Sequence, residues 1–127
     1  MTQLDNMAAN PYRNPFSKKK AKPARRNPIY RSSWEEHYAN YLECQRRDFK
    51  ILDWSYEDIK LKISNGGIYT PDFLVITDEE IQFHEVKGLR REAGMVRLRV
   101  AAHSHRWARF LLVTKEKGGN WKIDEVK

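Results

Sequence analysis

Residues 65–88 read NGGIYTPDFLVITDEEIQFHEVKG, and the fold depends on how this stretch is divided into strands and turns. Residues 65–67 (Asn-Gly-Gly) are typical of a tight hairpin turn, because asparagine and glycine tolerate positive φ. Residues 78–80 (Asp-Glu-Glu) indicate a second turn. The segments 68–77 and 81–87 are rich in β-branched and aromatic residues, which predicts two antiparallel strands.

Charged and apolar side chains share one face of the second of these strands. An alternation of period two predicts that one face carries Ile81, Phe83, Glu85 and Lys87, and that the other carries Gln82, His84 and Val86. The turn at residues 78–80 brings Asp72 opposite Glu85, with roughly 5 Å between the Cβ atoms.

Two carboxylates this close repel each other unless a cation lies between them, and hard oxygen ligands suit Mg²⁺. The sequence therefore predicts a Mg²⁺ site at Asp72 and Glu85. Lys87, on the same face, is a candidate for holding a water nucleophile and balancing phosphate charge. A plain salt bridge with a neighbour of Glu85 is the alternative role for this lysine.

The segments around this hairpin complete an α/β pattern. Residues 59–63 alternate apolar and charged side chains, which predicts a strand over 53–63, before the first turn. Apolar residues at helical spacing predict one helix from Ser32 to about Arg47 and a second from Arg90 to about His105, and apolar runs predict strands at 109–114 and 121–126. The order αβββαβ predicts a mixed sheet of four to five strands flanked by helices, with three antiparallel strands and then a helical crossover.

Positive charge is concentrated at the N-terminus. Residues 1–31 hold eight Lys or Arg residues against one acid, which equals the whole net charge of +7. Four prolines interrupt this segment, so we expect a flexible arm at 1–31 and a folded domain at 32–127. A polyanion such as DNA is the expected partner, with contacts from Lys18, Lys19, Lys20, Lys22, Arg25 and Arg26. A solubilising tail is the alternative.

The remaining composition favours a cytoplasmic protein. A single cysteine, Cys44, cannot form an internal disulfide, which suits a reducing compartment, and we expect it to pack within the first helix. No apolar run approaches the roughly 20 residues that span a bilayer, and the N-terminus has no apolar signal core. We therefore expect neither export nor a membrane partner.

The motif Pro71-Asp72, followed by Glu85-Val86-Lys87, resembles the signature of the PD-(D/E)XK nuclease superfamily, which has the restriction-endonuclease-like fold. That family also carries a glutamate on its first helix. Here residues 31–38 (RSSWEEHY) are similar to that helix in phage-encoded nucleases that resolve Holliday junctions and in transposon-end-cutting subunits, which implies this role for Glu35. The resemblance covers Ser32 to Thr114 and leaves the basic arm unexplained.

The resemblance implies Mg²⁺-dependent hydrolysis of DNA phosphodiester bonds, with Mn²⁺ as a substitute metal. The implied metal ligands are Asp72, Glu85 and the carbonyl of Val86, and Glu35 binds directly, through water or at a second metal. Lys87 orients the water, and Arg97 or Arg99 contacts the cut strand. A structure-selective endonuclease, encoded by a phage and forming a homodimer, is the expectation; a transposase-like or packaging-linked nuclease subunit and a non-catalytic nucleic-acid-binding protein are the alternatives.

The helix-borne glutamate has a competing structural role. Ser32-x-x-Glu35 and Ser33-x-x-Glu36 both match the capping box, in which a glutamate bonds back to the start of its helix. Only one box can form, so one glutamate is left over for catalysis. We predict that this residue is Glu35, with Glu36 as the alternative.

Overall fold

A computed structural model describes residues 29–87 and 92–127, with only the backbone of Asn65, Glu92 and Ala93. These residues form two α-helices, a mixed five-stranded sheet and a separate two-stranded hairpin. The helices are α1 (Ser33–Arg47) and α2 (Glu92–Ser104). The strands are β1 (Asp53–Tyr56), β2 (Leu61–Lys62), β3 (Ile68–Tyr69), β4 (Phe73–Ile76), β5 (Ile81–Lys87), β6 (Arg109–Lys115) and β7 (Trp121–Val126).

The large sheet has the strand order β1-β4-β5-β6-β7. Neighbouring strands are antiparallel except for β5 and β6, which run parallel and are joined through α2. This arrangement confirms the predicted α/β class with a mixed sheet and a helical crossover. Phe73 lies opposite His84, which is the register predicted from the turn at residues 78–80.

Two predicted strands are wrong in extent. The segment 53–63 is broken after Tyr56, where Glu57 has a φ of 47°, and the segment 68–77 is broken at residues 70–72. Pro71 has no N–H for a sheet ladder, which favours this second break. The detached pieces pair with each other as β2 and β3, and a 3₁₀ turn at Ser64–Gly66 replaces the tight turn expected at residues 65–67.

The two faces of the sheet carry separate cores. On one face α1 packs through Tyr38, Ala39 and Leu42 against a cluster formed by Phe73, Val75, Val86 and Val113. On the other face α2 and the β2–β3 hairpin pack against the sheet through Leu61, Tyr69, Phe83, Met95, Leu98, Ala101, Phe110 and Leu112. Phe83 and Val86 therefore point to opposite faces, as the alternation predicts, and Glu85 lies on the α2 face.

Helix α1 begins and ends with recognisable caps. Ser32 Oγ accepts the N–H of Glu35 at 3.1 Å, and the cap itself is extended. At the other end, the N–H of Lys50 bonds to the carbonyl of Gln45 at 2.9 Å, which closes a Schellman-type turn. Cys44 is exposed, so the expectation that it packs is wrong. Upstream of the cap, Tyr30 packs against the α1 face.

The Schellman turn places Phe49 where glycine is favoured. Phe49 has a φ of 61° and its side chain is 93% exposed, so it carries backbone strain without compensating burial. We expect Phe49→Gly to raise the free energy of unfolding by about 1 kcal/mol in urea denaturation, after the entropic cost of glycine is subtracted. Lys50→Gly, at an ordinary φ, should destabilise the chain. Equal effects of the two substitutions would contradict the strain.

No helix within residues 29–87 and 92–127 combines the length and apolar character needed to cross a bilayer.

Candidate active site

A cleft of about 270 Å³ opens where β5 ends, between the β2–β3 hairpin and the beginning of α2. Three of the four predicted catalytic residues line it, namely Asp72, Glu85 and Lys87. The other lining residues are Arg31, Glu57, Ile68, Tyr69, Thr70, Gly94 and Arg97. Asp72 and Glu85 thus face the same space, as the predicted register requires.

Asp72 is fixed by hydrogen bonds just before β4 begins. Pro71 has no N–H, which favours the break in the strand at residues 70–72. The Asp72 side chain bonds to β5 directly, because its Oδ2 accepts the N–H of Val86 at 2.9 Å. The Asp72 carbonyl accepts the N–H of Glu57 at 2.8 Å. The hydrogen bonds of its side chain and its carbonyl therefore hold the Asp72 carboxyl group in one orientation. The residue is also buried, with only 7% of its surface exposed.

Glu85 is buried and has partners on both carboxylate oxygens. Tyr69 donates its hydroxyl proton to Oε1, and the Lys87 ammonium lies 3.0 Å from Oε2. The predicted alternative for Lys87, a salt bridge, is therefore present in the described structure, and its partner is Glu85 itself. A Cβ built on Gly94 would lie 3.2 Å from Lys87 Nζ, so glycine at this point of α2 leaves room for the ammonium group.

The burial and the charges of the cleft make it unfavourable for Asp72 and Glu85 to be ionised together. Burial, and after it the nearby charge of Glu85, raise the pKa of Asp72 to about 8. The Val86 N–H and the Lys87 ammonium oppose this pKa shift only in part. At neutral pH the Asp72 carboxyl is therefore largely protonated, unless another cation enters the cleft.

The donor set suits a magnesium ion better than a metal with an all-protein cage. Within the described parts of the chain, no three His, Cys, Asp or Glu side chains are grouped so that they could hold a metal. Mg²⁺, however, is commonly bound by one or two carboxylates and completes its shell with water and substrate phosphate. The backbone N–H and C=O of a strand residue point to the same side, so the Val86 carbonyl faces the Asp72 side together with its N–H.

Glu35 lies beside the cleft and does not line it. Its carboxylate accepts the Arg31 N–H at 3.0 Å and the Tyr56 hydroxyl at 2.7 Å, so it caps the residue before Ser32 instead of closing the standard box. It is 8% exposed, and its charge contributes to the raised pKa of Asp72. Glu36 is more exposed, so Glu35 is the buried glutamate of this pair.

The predicted DNA contacts divide into three groups. Arg97 lines the cleft, and Arg99, exposed two residues further along α2, does not. Residues two apart on a helix point in very different directions, which explains the difference. The arm residues Lys18, Lys19, Lys20, Lys22, Arg25 and Arg26 lie outside the described residues.

Two tyrosine contacts, one in the cleft and one beside it, were not predicted from the sequence. Tyr69 reaches Glu85 only because β3 folds away from the main sheet, and Tyr56 reaches Glu35 across the start of α1. Arg31 also lies at the rim, with Nε 3.0 Å from Glu57. The one available signal was the proximity of Tyr69 to Pro71, which marks the strand break.

The fold and the cleft define an α/β protein in which two buried carboxylates and a lysine meet at the end of a central strand. The chain matches no protein-family model, no curated protein and no solved structure.

Proposed function

We propose that this chain is a Mg²⁺-dependent DNA endonuclease of the PD-(D/E)XK type, with a restriction-endonuclease-like core. The observation that carries the proposal is the convergence of Asp72, Glu85 and Lys87 on one cleft. Burying the Asp72 and Glu85 carboxylates beside each other costs free energy, and a divalent cation bound between them would offset that cost. The resemblance of Pro71-Asp72 and Glu85-Val86-Lys87 to the nuclease signature supports the same reading.

Each residue has a distinct part in this reaction. Asp72, Glu85 and the Val86 carbonyl would hold the metal, and Glu35 would act on it through water. When bound, the metal supplies Lewis-acid polarisation of the phosphodiester. Lys87 would donate a hydrogen bond that orients the attacking water. Arg97, which also lines the cleft, would neutralise substrate phosphate.

The substrate class follows from the resemblance and the charge distribution. The resemblance to junction-resolving nucleases favours branched DNA, such as a four-way junction, and the need to cut two of its four strands favours a homodimer. The basic residues of the N-terminal arm would add salt-sensitive binding without reading sequence. Cleavage of one strand within a transposase-like or packaging complex uses the same chemistry, and substrate preference separates these cases.

A cleavage assay with a matched lysine pair tests the proposal. Lys87 pairs with Thr114 on β6, and Lys115, the next residue, points to the opposite face, with Nζ 5.5 Å from the Trp34 ring centroid. We expect the wild type to cut supercoiled, linear or four-way-junction DNA with Mg²⁺. Lys87→Ala should reduce the rate by at least about 100-fold, as expected when a group that orients a nucleophile is lost, and Lys115→Ala should leave it within a few fold.

Two results would contradict the endonuclease reading. One is a folded wild-type chain that binds all three DNA forms and cuts none of them with Mg²⁺ or Mn²⁺, which would favour the non-catalytic DNA-binding protein. The other is equal rates for the Lys87→Ala and Lys115→Ala variants.

A further inference from the structure

Tyr69 is the side chain that holds Glu85 from the side opposite Lys87. Its hydroxyl donates to Glu85 Oε1, whereas the Lys87 ammonium lies 3.0 Å from Oε2. The Tyr69 ring is 7% exposed and belongs to the core cluster on the α2 face, so the hydroxyl has little freedom to move. Tyr69 thus supports Glu85 from a separate, packed hairpin.

The surroundings of Tyr69 favour a hydroxyl that stays protonated. Burial raises the pKa of Tyr69 well above its usual range, and the neighbouring charges of Glu85 and Asp72 act in the same direction. A carboxylate oxygen has two lone pairs, so Oε1 can accept this bond and keep a lone pair for a ligand.

Tyr69 and Asp72 belong to one short segment of the chain, and this segment reaches both carboxylates of the cleft. Only Thr70 and Pro71 separate Tyr69, at the end of β3, from Asp72, just before β4. A single short segment thus supplies one carboxylate directly and the support of the other through the tyrosine hydroxyl.

We propose that Tyr69 is a positioning residue, which fixes the Glu85 carboxylate through its hydroxyl so that Glu85 and Asp72 can share a divalent cation. The inference rests on the proposed function. Hydrogen-bond partners of metal ligands orient them, and removing such a partner typically lowers metal affinity about 10- to 100-fold. Tyr69 itself touches neither metal nor DNA in this proposal.

The test compares two buried tyrosines that each lose one hydroxyl. Tyr69→Phe removes the bond to Glu85, and Tyr38→Phe removes the 2.6 Å bond to His84 on the opposite face of the sheet. Mn²⁺ binding to the full chain is measured from the EPR signal of the free ion, and the Mg²⁺ dependence of cleavage is measured in parallel. Both variants are also made in the Phe49→Gly background, so that a loss of stability does not prevent the comparison.

We expect Tyr69→Phe to raise the Mn²⁺ dissociation constant at least about tenfold and to move the Mg²⁺ midpoint of cleavage upward by a similar factor, with the rate largely restored at saturating Mg²⁺. Tyr38→Phe should lower stability and leave both metal values within twofold. Unchanged metal values in Tyr69→Phe, or equal changes in the two variants, would overturn the inference while leaving the endonuclease proposal standing. A wild-type chain that neither binds Mn²⁺ nor cuts DNA would overturn both.

Discussion

Replacing Asp72 by asparagine is expected to abolish DNA cleavage and, in the same protein, to increase stability. Asparagine keeps an oxygen that can accept the Val86 N–H and removes the carboxyl group that must take up a proton when the chain folds at neutral pH. A metal centre contributes several kcal/mol to transition-state stabilisation, and each 1.36 kcal/mol is a factor of ten in rate. We therefore expect the cleavage rate to fall by at least about 1000-fold.

The gain in stability follows from the raised pKa of Asp72. Because its folded pKa of about 8 lies above the unfolded value of 3.8, Asp72 favours folding below the unfolded pKa and weakens it as the pH rises towards 8. The cost at pH 7 is roughly 4 kcal/mol, at 1.4 kcal/mol per pH unit. The cost of burying the asparagine NH₂ group offsets part of the gain in the free energy of unfolding. A net gain of about 2 kcal/mol is expected at pH 7. Near pH 4 the cost of Asp72 is nearly gone and the cost of the buried NH₂ remains, so Asp72→Asn should be less stable than the wild type there.

Urea denaturation of the wild type and of Asp72→Asn between pH 4 and pH 8 measures this effect. Asp78→Asn is the matched control, because Asp78 is exposed in the turn between β4 and β5. Adding Mg²⁺ should stabilise the wild type and not Asp72→Asn, so the difference between their free energies of unfolding becomes smaller. If Asp72→Asn is no more stable than the wild type at any pH, burial beside Glu85 does not disfavour the ionised Asp72 carboxylate.

Acid is expected to destabilise the chain through His84. Burial lowers the pKa of His84 to about 4, and the ring lies between the Tyr38 hydroxyl at Nδ1 and the Gln82 side-chain oxygen at Nε2. The neutral ring therefore accepts from Tyr38 and donates to Gln82. Its folded pKa lies below the unfolded value of 6.5, so the stability it contributes is complete above pH 6.5 and is lost as the pH falls through 4. The loss amounts to about 3 kcal/mol.

The contribution of His84 is measured as the difference in stability between the wild type and a His84 variant, because the titration of Asp72 changes stability in the opposite direction over the same pH range. We expect the wild type to lose about 3 kcal/mol more than His84→Gln between pH 7 and pH 4. His37→Gln, at an exposed position of α1, should follow the wild type. Parallel pH curves for the wild type and His84→Gln would contradict the assignment.

Local sequence was sufficient for the central part of the fold. The bounds of β5 and β7 agree with the prediction, since turn residues flank both and period two is kept along β5. The strand breaks were harder to foresee, because the positive φ of Glu57 is not encoded by its residue type. Pro71 did carry a signal, since proline rarely lies inside a sheet ladder, but the apolar run around it favoured one continuous strand.

The candidate site shows the same division. The shared face of Asp72 and Glu85 followed from strand register, which depends on one turn and on period two. The contact of Tyr69 with Glu85 depends on a hairpin packing over α2, and the difference between Arg97 and Arg99 depends on where the cleft meets that helix. Such contacts arise from tertiary packing and have no periodic signature in the sequence.

The most direct test of the account is anomalous diffraction from crystals of the full chain soaked in Mn²⁺. The account predicts a peak between Asp72 and Glu85, with carboxylate oxygens of both residues and the Val86 carbonyl at about 2.0–2.3 Å, the range for hard cations of this size. Lys87 should have moved away from Glu85 Oε2. A map with no peak in this cleft, while Lys87 still pairs with Glu85, would contradict the account.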